Sequence, residues 1–319
     1  MSSLAIEASE LTKDYGNGRG CRGVTIQVKE GEAFGFLGPN GAGKSTFVKM
    51  LVGLIRPTGG SAALFGERVG TIEAKRLIGY LPELYRYQEW LTGEEVVRLH
   101  ARLCGVKPPE AQRIIPRLLE EVGIGARGRD RVKHYSKGMQ QRLGLACALV
   151  NDPKIVFLDE PSSALDPLGR SDVRQILQRL KAQGKTLFLN SHLLEDVEIL
   201  CDRVALLNNG HVLHTGTVSD VLQEKTRWHF RVGGFTPLLL QWLREASALP
   251  VSQADLPVPD GSDTVWLAAE LDNEEQAGWL NTLMIEQGIT LYEVSKARTR
   301  LEEWFVSAVS GLSHRGERP

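Results

Sequence analysis

The residues best suited to chemistry lie in Gly38-Pro39-Asn40-Gly41-Ala42-Gly43-Lys44-Ser45, which fits the pattern GxxxxGK[ST] and runs on into Thr46. Glycines at 38, 41 and 43 let backbone N–H groups turn inward onto phosphate oxygens with no side chain in the way. Lys44 would reach the β- and γ-phosphates of a nucleotide, and the Ser45 hydroxyl would fall on Mg²⁺. Pro39, Asn40, Ala42 and Thr46 join them as candidate nucleotide contacts. The alternative is a glycine-rich turn that only packs, and the flanking elements argue against it.

A second group is Ile155-Val156-Phe157-Leu158-Asp159-Glu160, an apolar strand that ends in two acids. Such a strand sets both acids at the carboxyl end of a sheet, where α/β folds bind ligands. Asp159 would act on Mg²⁺, and Glu160 would polarise the attacking water as general base. Taken alone, an acidic pair after a strand reads as a helix cap or a solvated turn. The phosphate loop elsewhere in the chain reverses that preference.

Both groups need elements to hold them. Residues 33–37 form a short apolar run ending at Gly38, and residues 45–55 continue as a helix, so strand, glycine loop and helix follow in order. Upstream, residues 4–7 and 24–28 alternate apolar and polar, as a hairpin-like pair of strands does. From about 92 to 148 the spacing becomes helical, with Val96, Leu99 and Leu103 on one face and Ile114, Ile115, Leu118 and Leu119 on another. Residues 155–158, 186–189 and 204–207 are apolar throughout, which suits a parallel sheet covered on both faces.

Past Glu224 the prolines at 237, 250, 257 and 259 mark a change of character, and the phosphate chemistry stops. The spacing predicts strands over 228–232, 264–269 and 290–295, with helices over 237–246, 274–287 and 300–309. Residues 310–319 are polar. Two domains are therefore expected: 1–224, with a helical subdomain at about 84–148, and a small C-terminal α/β domain over 225–319.

The bulk numbers set limits. A 42% hydrophobic share is ample for a large core and a smaller second one. Thirty-eight basic against 39 acidic residues leave a formal charge of −1, so no global attraction toward nucleic acid or an anionic membrane is expected. Cys21, Cys104, Cys147 and Cys201 are scattered without a CxxC pair and read as reduced cytosolic thiols. A membrane-spanning helix needs roughly 20 apolar residues, and no run approaches that. Any membrane role would require a partner.

With these motifs in place, residues 4–222 resemble the nucleotide-binding subunit of an ATP-binding-cassette transporter. Tyr135-Ser136-Lys137-Gly138-Met139 occupies the place of the family's LSGGQ signature, shortly before the acidic strand. Lys137 stands where the first glycine is usual and Met139 replaces the glutamine, while Ser136 and Gly138 are retained. As an isolated pentapeptide it would read as a helix start capped by Ser136.

The resemblance implies the fold: a P-loop NTPase core with a mostly parallel sheet, an N-terminal antiparallel β subdomain and a helical subdomain, followed by the C-terminal α/β domain. It also implies roles. Ser136 and Gly138 would close over ATP held by the phosphate loop of a second copy. The loop 163–166 would touch that copy, and His192 would contact the γ-phosphate, although a lone histidine after a strand is more often structural. Tyr15 would stack on adenine or serve as a packing anchor. Glu83 sits where a glutamine usually links Mg²⁺ or the attacking water to the membrane partner, and a carboxylate can bind a hard cation.

The expected activity is ATP hydrolysis, with ATP and Mg²⁺ bound, by a homodimer at the cytoplasmic face of the membrane. Its partners would be separately encoded integral membrane permease subunits, with no nucleic acid. The appended C-terminal domain makes the chain look most like subunits of drug, lipid, polysaccharide or copper-related exporters. A soluble ATPase acting on ribosomes or DNA is the alternative. Such relatives usually carry two cassettes or a long coiled coil, and this chain has one set of motifs and no sustained heptads.

Overall fold

A computed structural model describes residues 3–16, 19–84, 86–163, 165–222, 226–259, 261–296, 301–302, 304–306 and 308. The chain divides into two compact units, Met1–Val218 and Ser219–Pro319.

In the first unit a six-stranded sheet runs in the order His211–Thr217, Arg203–Asn208, Ala33–Leu37, Thr186–Asn190, Ile155–Asp159, Ile78–Leu81. His211–Thr217 lies antiparallel to its neighbour, and the other pairings are parallel. The strands Ala33–Leu37, Ile155–Asp159 and Thr186–Asn190 are buried along their whole length, as parallel strands covered on both faces must be. Phe188 sits among Phe34, Phe36, Phe47 and Phe157, with ring centroids between 5.4 and 6.3 Å away. Parallel pairing has a functional consequence. It delivers the carboxyl ends of four strands, and so Gly38, Glu160, His192 and Glu83 just beyond them, to one edge of the sheet.

The helix after the glycine loop is Lys44–Leu51, shorter than the predicted 45–55. Gly53, at φ 73°, ends it: its N–H reaches the Met50 carbonyl while the Leu54 N–H reaches that of Lys49, the paired bonds of a Schellman stop.

Beside this core lies an antiparallel sheet in the order Gly20–Lys29, Leu4–Asp14, Gly59–Leu64, Glu67–Arg68. The first two strands are the predicted pair. Gly59–Leu64, sequence GGSAAL, carries no strand signal of its own, and is extended because it pairs with Leu4–Asp14.

The helical region holds Gly93–Leu103, Pro108–Glu121 and Lys137–Leu149. Thr92 and Glu95 cap the first reciprocally. Its predicted apolar face is corrected: Val96 is buried, but Leu103 is 76% exposed, and the helix packs through Val96, Val97 and Ala101 instead. The small and β-branched residues that form the packed face lie two or three positions from Leu99.

The second unit is a single antiparallel sheet in the order Val251–Ala254, Thr264–Leu271, Thr226–Gly233, Thr290–Lys296. With helices Pro237–Ser247 and Glu274–Glu286 between strands, the chain order is strand, helix, strand, strand, helix, strand, a split βαβ arrangement. Its core gathers Phe230, Val232, Leu243, Leu267, Leu280 and Met284. The short edge strand Val251–Ala254 has no counterpart in the sequence-based expectation, where flanking prolines masked it. Of the predicted helix 300–309, residues 300, 303, 307 and 309 lie outside the described residues, and Leu301 and Trp304 are buried. Among the described residues no helix is long and apolar enough to cross a membrane.

Candidate nucleotide site

Two of the loop glycines are required by close backbone approach. A Cβ at Gly38 would collide with the carbonyl oxygen of Leu207, and one at Gly43, φ 106°, with that of Gly20. Lys44 is buried, and its Nζ donates to the carbonyls of Gly38 (2.7 Å) and Pro39 (3.2 Å), arching back across the loop. Burial pulls its ammonium below the ordinary lysine range, against the opposing pull of Glu160, Asp159 and Glu83. Ala42 points its methyl into the core and accepts from the Gly210 N–H through its carbonyl, so only its main chain can serve a ligand.

The loop forms one wall of a cleft of about 1000 Å³, and Tyr15, Asn40, Ser45, Thr46, Glu83, Glu160 and His192 also line it. Tyr15 is half exposed, with Lys13 Nζ 5.4 Å from its ring centroid. Asp159 closes its strand almost fully buried, and burial raises its carboxyl above the ordinary range while the Asn190 amide opposes the shift by donating to it.

Glu160 follows with φ 53°, a left-handed conformation that a glutamate adopts only where its surroundings enforce it. Its N–H donates to the Asn190 carbonyl (2.8 Å), and its Oε2 lies 2.6 Å from His192 Nδ1. Burial raises the Glu160 carboxyl, and contact with His192 acts the other way. A carboxylate so poised beside a lysine-anchored phosphate loop can accept a proton from water.

Ser136 and Gly138 lie elsewhere. They line a separate pocket with Arg142, Leu165, Asp166 and Gly169, and none of these residues lines the Lys44 cleft. Ser136 Oγ accepts from the Met139 N–H (3.2 Å) and caps the Lys137–Leu149 helix, which engages a lone pair and leaves the hydroxyl proton available to donate. Asp166 caps the next helix through the Gly169 N–H (2.8 Å). The predicted residues thus fall into two groups on the first unit.

Sequence reasoning passed over Asn190 and Tyr80. Asn190 lines the cleft, and Tyr80 has its phenol raised by burial and by the nearby acid Asp159. For Asn190 the available signal was a polar residue ending an otherwise apolar strand.

A phosphate loop feeding a helix, with acids at the carboxyl edge of a mostly parallel sheet, defines a P-loop nucleoside-triphosphate hydrolase. Residues 21–163 match the model of the ABC transporter family. The chain is 38% identical to an uncharacterized ABC transporter ATP-binding protein of Nostoc sp., over 90% of this chain and 82% of that one. It is 33% identical to the bacitracin transport ATP-binding protein BcrA of Bacillus licheniformis, over 97% and 98%. Among solved structures it is similar to the dimeric, post-hydrolysis ATP-binding cassette MJ0796 bound to ADP and Pi, at 25% identity and a TM-score of 0.60, over 67% of this chain and 98% of that one. The chain belongs to the ABC transporter ATP-binding proteins, the subunits that bind ATP and hydrolyse it to power transport.

Proposed function

We propose that two copies of this chain close on two ATP molecules and, by hydrolysing them, drive separately encoded membrane-spanning subunits of an exporter from the cytoplasmic face of the membrane. The observation that carries this reading is the separation of Ser136 and Gly138 from the Lys44 cleft. Donors suited to a γ-phosphate sit on two surfaces of one unit, so a second copy is the natural source of the missing half. The MJ0796 cassette, similar in fold, is dimeric.

Within each site, backbone N–H groups of 38–46 and the Lys44 ammonium would hold the phosphates, and Tyr15 would stack on adenine. Ser136 and the Gly138 N–H of the second copy, at the start of a helix, would approach the γ-phosphate from the other side. Glu160 would take the proton of the attacking water while the bond from the γ-phosphorus to the ADP oxygen breaks. His192, at 2.6 Å from it, would hold that carboxylate and touch the γ-phosphate.

The donors fit Mg²⁺: the Ser45 hydroxyl and the carboxylates of Asp159 and Glu83 are hard oxygens. No cluster of three or more His, Cys, Asp or Glu among the described residues could hold a metal alone, which suits an ion bound by one or two carboxylates plus phosphates. When bound, Mg²⁺ would neutralise charge on the phosphates.

Transport is supported by likeness along almost the whole chain to a protein named for bacitracin transport, and export by 37% identity over 70% of this chain to one named for Nod factor export. Drug, lipid, polysaccharide and copper-related cargo all remain within the reading.

The test is to express tagged Glu160→Gln protein with its neighbouring genes and isolate it in mild detergent with Mg-ATP. A stoichiometric integral membrane protein in the eluate is the expected result. An ATP-dependent dimer with no membrane companion would favour a soluble ATPase.

A further inference from the structure

Asn190 ends the strand Thr186–Asn190 at the floor of the cleft and is 1% exposed. Its Nδ2 donates to Asp159 Oδ1. Its Oδ1, also buried, has no hydrogen-bond partner. These facts are coupled. A carboxylate that ligates a cation only accepts, so the amide must turn its N–H side toward Asp159 and cannot flip to relieve the orphaned oxygen.

Buried acceptors without a donor are uncommon in folded proteins, and because Asn190 lines the cleft, what binds there is the natural source of the donor. Phosphate oxygens cannot supply it, since at neutral pH they accept. Water in the hydration shell of Mg²⁺ can: the ion dehydrates reluctantly and keeps several waters while bound through one or two carboxylates.

We propose that Asn190 is a positioning residue of the metal site, whose amide N–H fixes the Asp159 carboxylate while its Oδ1 accepts from a water of the cation's hydration shell. This rests on the reading of Asp159 as a Mg²⁺ ligand. One amide then orients an inner ligand and an outer one together, the division of labour that outer-shell groups perform at metal sites. The competing account is a latch between strand ends, since the Asn190 carbonyl also accepts from the Glu160 N–H at 2.8 Å. A latch would hold the loop with or without metal, so metal dependence separates the two.

The experiment measures ADP affinity of the full chain in EDTA, and Mn²⁺ affinity with ADP present by electron paramagnetic resonance. It compares the parent with Asn190→Leu, Asn190→Ser and Asp159→Asn. Asn190→Leu should bind ADP in EDTA as the parent does and Mn²⁺ roughly 10- to 100-fold more weakly. Asn190→Ser, whose hydroxyl both donates and accepts, should recover part of the loss. Mn²⁺ affinity unchanged in Asn190→Leu but weakened in Asp159→Asn overturns the proposal and leaves the metal reading standing. Mn²⁺ affinity unchanged in both removes the metal reading and this proposal with it. Should Asn190→Leu fail to bind ADP in EDTA, Asn190→Ser decides instead: weaker Mn²⁺ binding at normal ADP affinity supports the role, and parental Mn²⁺ binding overturns it.

Discussion

Nδ1 of His192 lies 2.6 Å from Oε2 of Glu160, so the side chains just past two neighbouring parallel strands hold one another at the mouth of the cleft. The histidine is half exposed and the glutamate largely enclosed, which makes Glu160 the group whose chemistry the fold controls and His192 the one that a ligand can reach.

Replacing Glu160 with glutamine keeps the shape of the side chain and removes the base. Turnover of ATP should fall by roughly 10²-fold or more, the usual contribution of a general base. ATP affinity should stay within a few fold of the parent. Steady-state hydrolysis with equilibrium binding checks both, and unchanged turnover would remove Glu160 from that role.

Burial raises the Glu160 carboxyl, and the base works only when ionised. Activity is therefore present above the raised value and lost as pH falls through it, so the acid limb of kcat/KM should lie at higher pH than an ordinary glutamate gives. His192 opposes the shift, so His192→Ala should move that limb further up. For stability the sign reverses. The folded chain holds the Asp159 and Glu160 protons more tightly than the unfolded one, and their contribution falls as pH rises from the ordinary carboxylate range through the raised values.

Gly43 has φ 106° and faces the Gly20 carbonyl at a distance that excludes a Cβ. Gly43→Ala should displace the start of the Lys44 helix and weaken ATP binding at least tenfold, with about 1–3 kcal/mol of backbone strain lowering Tm. Calorimetric titration and thermal melts measure the two effects. Gly41→Ala is the useful contrast: it also has positive φ, 83°, but open space around it, so strain should appear with a smaller loss of binding.

Local patterns made the chemistry legible. The GxxxxGK[ST] loop, the acids after 155–158 and the buried strands could be read because each depends on residues adjacent in the chain. Gly59–Leu64 could not, because only a partner strand makes it extended, nor could Leu99 and Leu103, whose helical spacing matches a buried face they do not occupy. Asn190 went unremarked because its meaning lies across the sheet: beside Asp159 it has a partner for its amide N–H and none for its oxygen, a relation that a sequence separation of 31 residues conceals.

The central claim is that ATP held at Lys44 in one copy is completed by Ser136 of another. The direct measurement is the mass of the Glu160→Gln chain in solution, by light scattering, with and without Mg-ATP, alone and combined with Ser136→Asp. The account predicts a dimer with ATP, a monomer without it, and a monomer in both conditions when an acid at 136 would face the γ-phosphate. A chain that stays monomeric with ATP bound, or one that dimerises equally well with Ser136→Asp, would contradict it.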